Sequence, residues 1–429
     1  MVAAATLAAL AACIDDVKVT ERGSGTGGHG TGGHGTGGKG AGCAAGQRAC
    51  PLGAACAKTE DCIAGTCTDA RCQPPGQGSW DTHSEAAPPS PRAYAAMAYD
   101  PGSKRVVLFG GEAASATPLD DTWALTAQGW SQTSVSGAPP PARFAAVLAY
   151  DTKAAQMVLY GGGSFSASSM PLVLDDTWTF AGGAWTPVAT GTPKGRKLAA
   201  AAWDSDGQRL VMFGGTDDQF FLAEMWSYQD KVWAPLSAGT QPSEPIGPAM
   251  AYDQARRKLV LFGGNALTID NGGAERTWTF DGAWKDVSPD LGPPRRTRAQ
   301  AVYDARRRRV VLYGGSHLGF TRSDTWEWDG VAWTRTSAAS GFAVVGCSLV
   351  YDDSLGRVLA FGGASGENGT PTNALWEYHG WANACASDAA CDTPFHCVDG
   401  LCCQQSMCAV GEACNVPANP GTCTPVATP

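Results

Sequence analysis

Histidine is scarce in this chain. There are 6 in 429 residues, and only His83, His317 and His379 fall between residues 78 and 381. A metal site built on imidazoles is therefore not expected in that span. Charge is also sparse, at 17% of residues, and weighted to acid, giving a net charge of −9. That balance speaks against nucleic acid as a partner. No phosphate loop and no serine or cysteine nucleophile motif stands out. The tract GGHGTGGHG lacks the strand and helix that a dinucleotide loop needs. Outside residues 2–12 no apolar run could cross a bilayer. No cofactor is expected.

What the chain does have is repetition. Six blocks run from an aromatic-Asp pair to a double glycine: AYDPGSKRVVLFGG, AYDTKAAQMVLYGG, AWDSDGQRLVMFGG, AYDQARRKLVLFGG, VYDARRRRVVLYGG and VYDDSLGRVLAFGG. The Gly pairs recur at intervals of 51, 53, 49, 51 and 48 residues, and such a period marks a repeat architecture. Each unit reads as four strands. AYAAMAYD is a short first strand, DPGSKR a turn, and RVVLFGG a buried second strand. A variable loop leads to DTW and a third strand, and a tight turn to a fourth. Tryptophan pairs keep the beat: Trp123/Trp130, Trp178/Trp185, Trp226/Trp233, Trp278/Trp284 and Trp326/Trp333. Their recurrence in every unit points to packing, each contributing about 1.5–3 kcal/mol if buried. An Arg recurs seven residues before the aromatic, as Arg92, Arg143, Arg196 and Arg296, with Pro245 and Val344 in the other two units. Cys347 falls where other units hold Ala95, Ala146, Ala199, Pro248 and Ala299, the mark of a small packed slot and an inert thiol. The basic clusters Arg256–Lys258 and Arg306–Arg309 fall in first turns and read as solvated.

These marks, over about residues 78–381, resemble the Kelch family. The resemblance implies an all-β fold, a six-bladed β-propeller of the galactose oxidase and Kelch type. The last unit ends at its third strand, NALWEYHG, while Trp80 stands alone upstream. Trp80 is expected to begin the outer strand of the sixth blade, which closes the ring; Trp381 is the competing candidate. The topology puts second-to-third loops and the Pro-rich linkers on one face of the disc. Variable loops on a rigid scaffold are where binding resides. The candidate ligand residues there are Phe165, Asp217, Asp218, Phe220, Phe221, Asp270, Asn271, His317, Phe320 and Arg322.

Fold does not dictate function here. The reading adopted is a binding module for a glycan or protein ligand. A carbohydrate-active enzyme is the alternative, since some six-bladed Kelch proteins are sialic acid epimerases or mutarotases; a structural or adhesive envelope role is the third. First strands such as LAAAA and GPAMA supply little chemistry to a central channel. The copper site of galactose oxidase is not expected, because Tyr378-His379 lies after a third strand, on the other face.

The flanks read as export signals. Residues 1–12 resemble a signal peptide and Cys13 the lipidated residue of a bacterial lipoprotein, although no Lys or Arg precedes it. Residues 13–42 form a Gly-rich tether. Residues 43–77 and 382–429 are Cys-rich modules. Cys43, Cys50, Cys56, Cys62, Cys67 and Cys72, with Cys385, Cys391, Cys397, Cys402, Cys403, Cys408, Cys414 and Cys423, are expected in disulfides, with no pairing assigned. The expected location is the outer membrane or cell surface through a lipid anchor, or the exterior as a secreted protein.

Overall fold

The computed structural model describes residues 78–380, apart from 190, 192, 237–238, 266–274, 290, 338–341 and 367–368, together with six short strands in the flanking segments. Residues 78–380 form six antiparallel four-stranded sheets. In five of them the strands follow chain order. The first blade runs Ala96–Asp100, Arg105–Phe109, Thr122–Thr126, Gly129–Gln132. The sixth takes its outer strand from far upstream. Ser79–His83 pairs with Leu375–His379, Trp80 lying opposite Tyr378. The first strands of successive blades touch in a closed cycle, the sixth returning to the first. The fold is thus an all-β, six-bladed propeller, latched by Trp80's strand.

The double glycine has a cause beyond ending a strand. In all six blades the N–H of the second Gly donates to a backbone carbonyl four residues before the next first strand, at 2.7–3.0 Å. Gly111 reaches Arg143, and Gly363 reaches Arg92 to complete the circle. A Cβ on Gly110 would lie 2.5 Å from that same carbonyl, and Gly110 has φ +63°. Only glycine permits both the angle and the approach.

The recurring arginines are the second device. Arg92, Arg143, Arg196 and Arg296 are buried. Each donates to the carbonyl of the first Gly of its own blade. Each also pairs with the acid preceding the third strand: Asp121, Asp176, Glu224 or Asp324. A buried guanidinium needs such a partner. The two exceptions change both members together. Val344 is matched by Ala374, and Pro245 by Arg276, which turns outward to Asp286 at 2.9 Å. Neither blade is left with half a pair.

The fourth-strand tryptophans wedge between blades. Trp130, Trp185, Trp233, Trp284, Trp333 and Trp80 are all buried, each ring against the last aromatic of the previous blade's second strand. Trp80 occupies the same slot, 4.5 Å from Tyr313. Where the previous blade's third strand begins with Thr, the indole N–H donates to it: Trp80 to Thr325, Trp185 to Thr122, Trp233 to Thr177, Trp333 to Thr277, at 2.8–3.0 Å. Where that position is Leu375 or Met225, the N–H groups of Trp130 and Trp284 meet no acceptor. Trp278 likewise lacks one, because Arg276 stands where four of the other blades supply a carboxylate.

Cys347 is buried, and burial pushes its thiol up to about 12, as an inert packed residue requires. The turn cluster 306–309 corrects the expectation of a solvated turn. Arg307 is held inside by Asp304 at 2.7 Å and by Glu327, with Tyr378 donating to Glu327 at 3.0 Å. In the flanks, Thr66–Thr68 pairs with Arg71–Gln73, and His396–Val398 with Leu401–Cys403. Cys67 lies opposite Cys72 and Cys397 opposite Cys402 in these backbone ladders. The expected signal segment, the lipidated residue expected at Cys13, and Cys43, Cys50, Cys56, Cys62, Cys385, Cys391, Cys408, Cys414 and Cys423 lie outside the described residues.

Candidate functional site

The two ends of the ring differ in kind. One carries the short first-to-second and third-to-fourth turns. The other carries the second-to-third loops and the linkers between blades, some of which fold into small hairpins: Gly163–Phe165 with Pro171–Val173, and Ser316–His317 with Phe320–Thr321. The candidate residues that are described all stand on this second, loop-bearing end. Asp270 and Asn271 lie outside the described residues.

The candidates fall into two groups. On blades two and three, Phe165 packs 6.4 Å from Phe144, and Lys197 lies over the Phe144 ring while pairing with Asp218 at 2.8 Å. Lys194 pairs with Asp217 and lies over Phe220. The Lys194 contact, helped by the N–H groups of Phe220 and Gln219, holds the Asp217 carboxyl down at about 2. Phe165, Phe220 and Phe221 remain 37%, 59% and 39% exposed. On blade five, His317 faces Phe320 across the hairpin, Arg322 follows it, and Phe320 is 75% exposed. Burial, with Arg322 and Arg295 nearby, lowers the His317 pKa.

Inside this rim lies a feature that reading the chain did not find. The residue two before each first strand is left-handed in every blade: Tyr94, Ala145, Leu198, Gly247, Arg298 and Gly346, with φ of 52–68°. For Leu, Tyr and Arg that angle carries strain. Five backbone bonds link them in order. Ala145 donates to Tyr94, Leu198 to Ala145, Gly247 to Leu198, Arg298 to Gly247, and Tyr94 to Gly346, at 2.6–3.2 Å. Small and large residues alternate around this collar. The small ones make room, since a Cβ on Gly346 would lie 2.6 Å from the Tyr94 ring and one on Gly247 3.1 Å from Arg298 Cγ. The collar rings the mouth of a central channel of about 160 Å³. Below it the lining side chains are mostly alkyl, with Met97, Leu148, Met250 and Leu349, and with Gln300 and Ser348 as polar members. Glu112, just past the first Gly pair, joins this mouth electrostatically. Burial raises its pKa, while Lys197 and Arg298 pull the other way. Comparison of equivalent slots was the available signal: Glu112 stands where other blades hold Gly163, Thr216, Asn265, Ser316 and Ala364.

Comparison with known proteins agrees with this architecture. Residues 61–237 match the model of the KLHDC2/KLHL20/DRC7 Kelch-repeats domain. The chain is 27% identical over 240 residues to Adagio-like protein 3 of Oryza sativa subsp. japonica, covering 50% of this chain and 36% of that protein. It is 28% identical over 238 residues to Adagio protein 3 of Arabidopsis thaliana, covering 50% and 37%. The matched region is thus little more than a third of these relatives' length. Among solved structures, the one titled Structure of YjhT superposes with a TM-score of 0.54 at 15% identity, over 68% of this chain and 95% of that one, a likeness of fold alone. The chain carries a Kelch-repeat domain folded as a six-bladed β-propeller.

Proposed function

We propose that this chain is a binding module that holds a glycan or protein ligand on the loop-bearing end of the propeller. One observation carries the reading. The repeat slots are nearly uniform through the blade cores, and they diverge at that end, where Phe165, Phe220 and Phe320 stand exposed on anchored hairpins and loops. Exposed aromatics on a rigid frame give contact area at low entropic cost. Export and a lipid at Cys13 would place this face outside the cell. Replacing Phe165 and Phe220 together by alanine is expected to abolish signals on a glycan array while the melting temperature stays unchanged. Undiminished signals would defeat the assignment.

A second reading, a carbohydrate-active enzyme such as a sugar epimerase, is favoured by one feature. Glu112 is a half-buried carboxyl whose pKa burial raises, against the pull of Lys197 and Arg298, a group suited to proton transfer. An anomer-exchange assay separates the readings. Activity lost in Glu112→Gln would support catalysis.

A further inference from the structure

Blade five departs from the repeat pattern at three half-buried positions, each time toward arginine. Arg322 stands where the first three blades hold Leu119, Leu174 and Leu222. The slot of Arg295 holds Pro, Ala, Gly or Glu in the other blades, and that of Arg335 holds Gln, Pro, Asp or Thr. No other blade has a cation at any of the three. The core needs the same shapes in every blade, so packing does not call for these charges.

They gather around one point. Arg322 lies two residues before Asp324, and its N–H donates to Gly315 at 2.8 Å, setting it beside the His317 hairpin. Arg335 is the cross-strand partner of Trp326, whose indole donates to Asp324 at 2.6 Å. Asp324 itself is committed to Arg296 through two bonds of 2.7 and 2.8 Å. Glu275 also faces the group, 3.2 Å from Arg295. Four guanidiniums and a histidine therefore gather beside Asp324 and Glu275, with Arg295 and Arg335 each keeping a further contact. The Arg322 Nε–H is buried and reaches no acceptor among the described residues. Burial disfavours the charged form of Arg296, Asp324 favours it, and Arg322 and Arg335 both act in the direction of burial. Such a concentration of guanidinium groups on one rim favours an anion from solution.

We propose that this corner of the loop-bearing end is an oxyanion site. In it Arg322, with Arg335 beside it and His317 and Arg295 at the rim, takes a sulfate or carboxylate group of an acidic polysaccharide. Guanidinium suits such groups because its planar fork matches two oxygens at once. The exposed Phe320 supplies a flat face for the adjoining sugar ring. The proposal rests on the reading that this end of the ring binds a glycan, and it names the class.

The test uses the full chain and three immobilised polyanions: heparin, polygalacturonate and poly-L-glutamate. Arg322→Leu installs the residue of the first three blades, so folding is retained, as an unchanged melting temperature will show. Arg257→Leu removes the same charge from the turn-bearing end and serves as control. Binding to heparin (sulfate) or polygalacturonate (carboxylate) is expected to weaken on the order of tenfold or more in Arg322→Leu, given the strength of charge-assisted hydrogen bonds. It should stay unchanged in Arg257→Leu and fall with added salt. Equal losses in both variants, or binding to poly-L-glutamate alone, would overturn the site. If no polyanion binds but array signals persist and vanish in Phe165→Ala/Phe220→Ala, the oxyanion site falls and the broader binding face stands. If those signals are absent as well, both fall.

Discussion

Replacing Arg296 by valine should cost more than replacing Arg296 and Asp324 together. Arg296 is 1% exposed, and the Asp324 side chain is 10% exposed. Their pair has two bonds of 2.7 and 2.8 Å, and Arg296 adds bonds to the carbonyls of Gly314 and Pro294 at 3.1 and 3.0 Å. Arg296→Val leaves the Asp324 carboxylate in a closed site without its two-bonded partner, Arg335 and the Trp326 indole being what remains beside it, a loss of about 3–5 kcal/mol. Arg296→Val/Asp324→Ala reproduces Val344 and Ala374 of the sixth blade. It removes both charges; the Gly314 and Pro294 carbonyls lose their donor in both variants alike, and what the double variant alone leaves unmet is the Trp326 indole N–H, as Trp278 already is in blade four. An unsatisfied buried donor costs about 1–3 kcal/mol. The double variant should therefore be more stable than Arg296→Val by about 2 kcal/mol. Urea denaturation of the two variants and of Asp324→Ala closes the cycle. Simple additivity of the single losses would refute the argument that the pair is retained or discarded as a unit.

Trp80→Ala should destabilise the propeller by about 3–5 kcal/mol, because it empties the wedge between the fifth and sixth blades; thermal denaturation checks it, and a loss comparable to that of an exposed residue would count against the latch. Asp121, Asp176, Asp324 and Glu224 all have lowered pKa values from their Arg partners. Their stabilisation is fully present above the ordinary carboxylate values of about 4 and is lost as pH falls through the lower folded values. The urea midpoint should hold from pH 7 to 5 and decline below about 4; a decline complete by pH 5 would contradict it. Trp130→Phe should cost less than Trp185→Phe by about 1–3 kcal/mol, since only Trp185 has a Thr acceptor to lose; equal urea midpoints would count against that account.

The ring was legible in the chain because each blade repeats the same buried second strand and Gly pair, and because Trp80 had no third strand of its own to follow. The Arg–acid pairs were half legible. The arginines recur at a fixed distance from the aromatic, but their partners lie 28–33 residues onward, beyond loops of unequal length. The paired loss at Val344/Ala374 and Pro245/Arg276 was the sign of them. The collar was not legible. Tyr94, Leu198 and Arg298 have no intrinsic preference for the left-handed region; the inter-blade bonds impose it. Glu112 escaped notice because its surroundings come from blades three and five, distant in sequence. Local pattern governs strands and turns, whereas the mouth of the ring is made by residues that only closure brings together.

The claim on which the functional account turns is that recognition belongs to the end bearing the long loops. Both ends expose apolar side chains, so both can be blocked alike: Phe165→Glu with Phe220→Glu on the loop-bearing end, Val331→Glu with Leu355→Glu on the turn-bearing end. The measurement is binding of the full chain to one array of glycans and proteins, wild type beside the two double variants. The account predicts that the first pair of changes removes the wild-type signals and the second leaves them intact. Signals that survive the first pair and vanish with the second would contradict it.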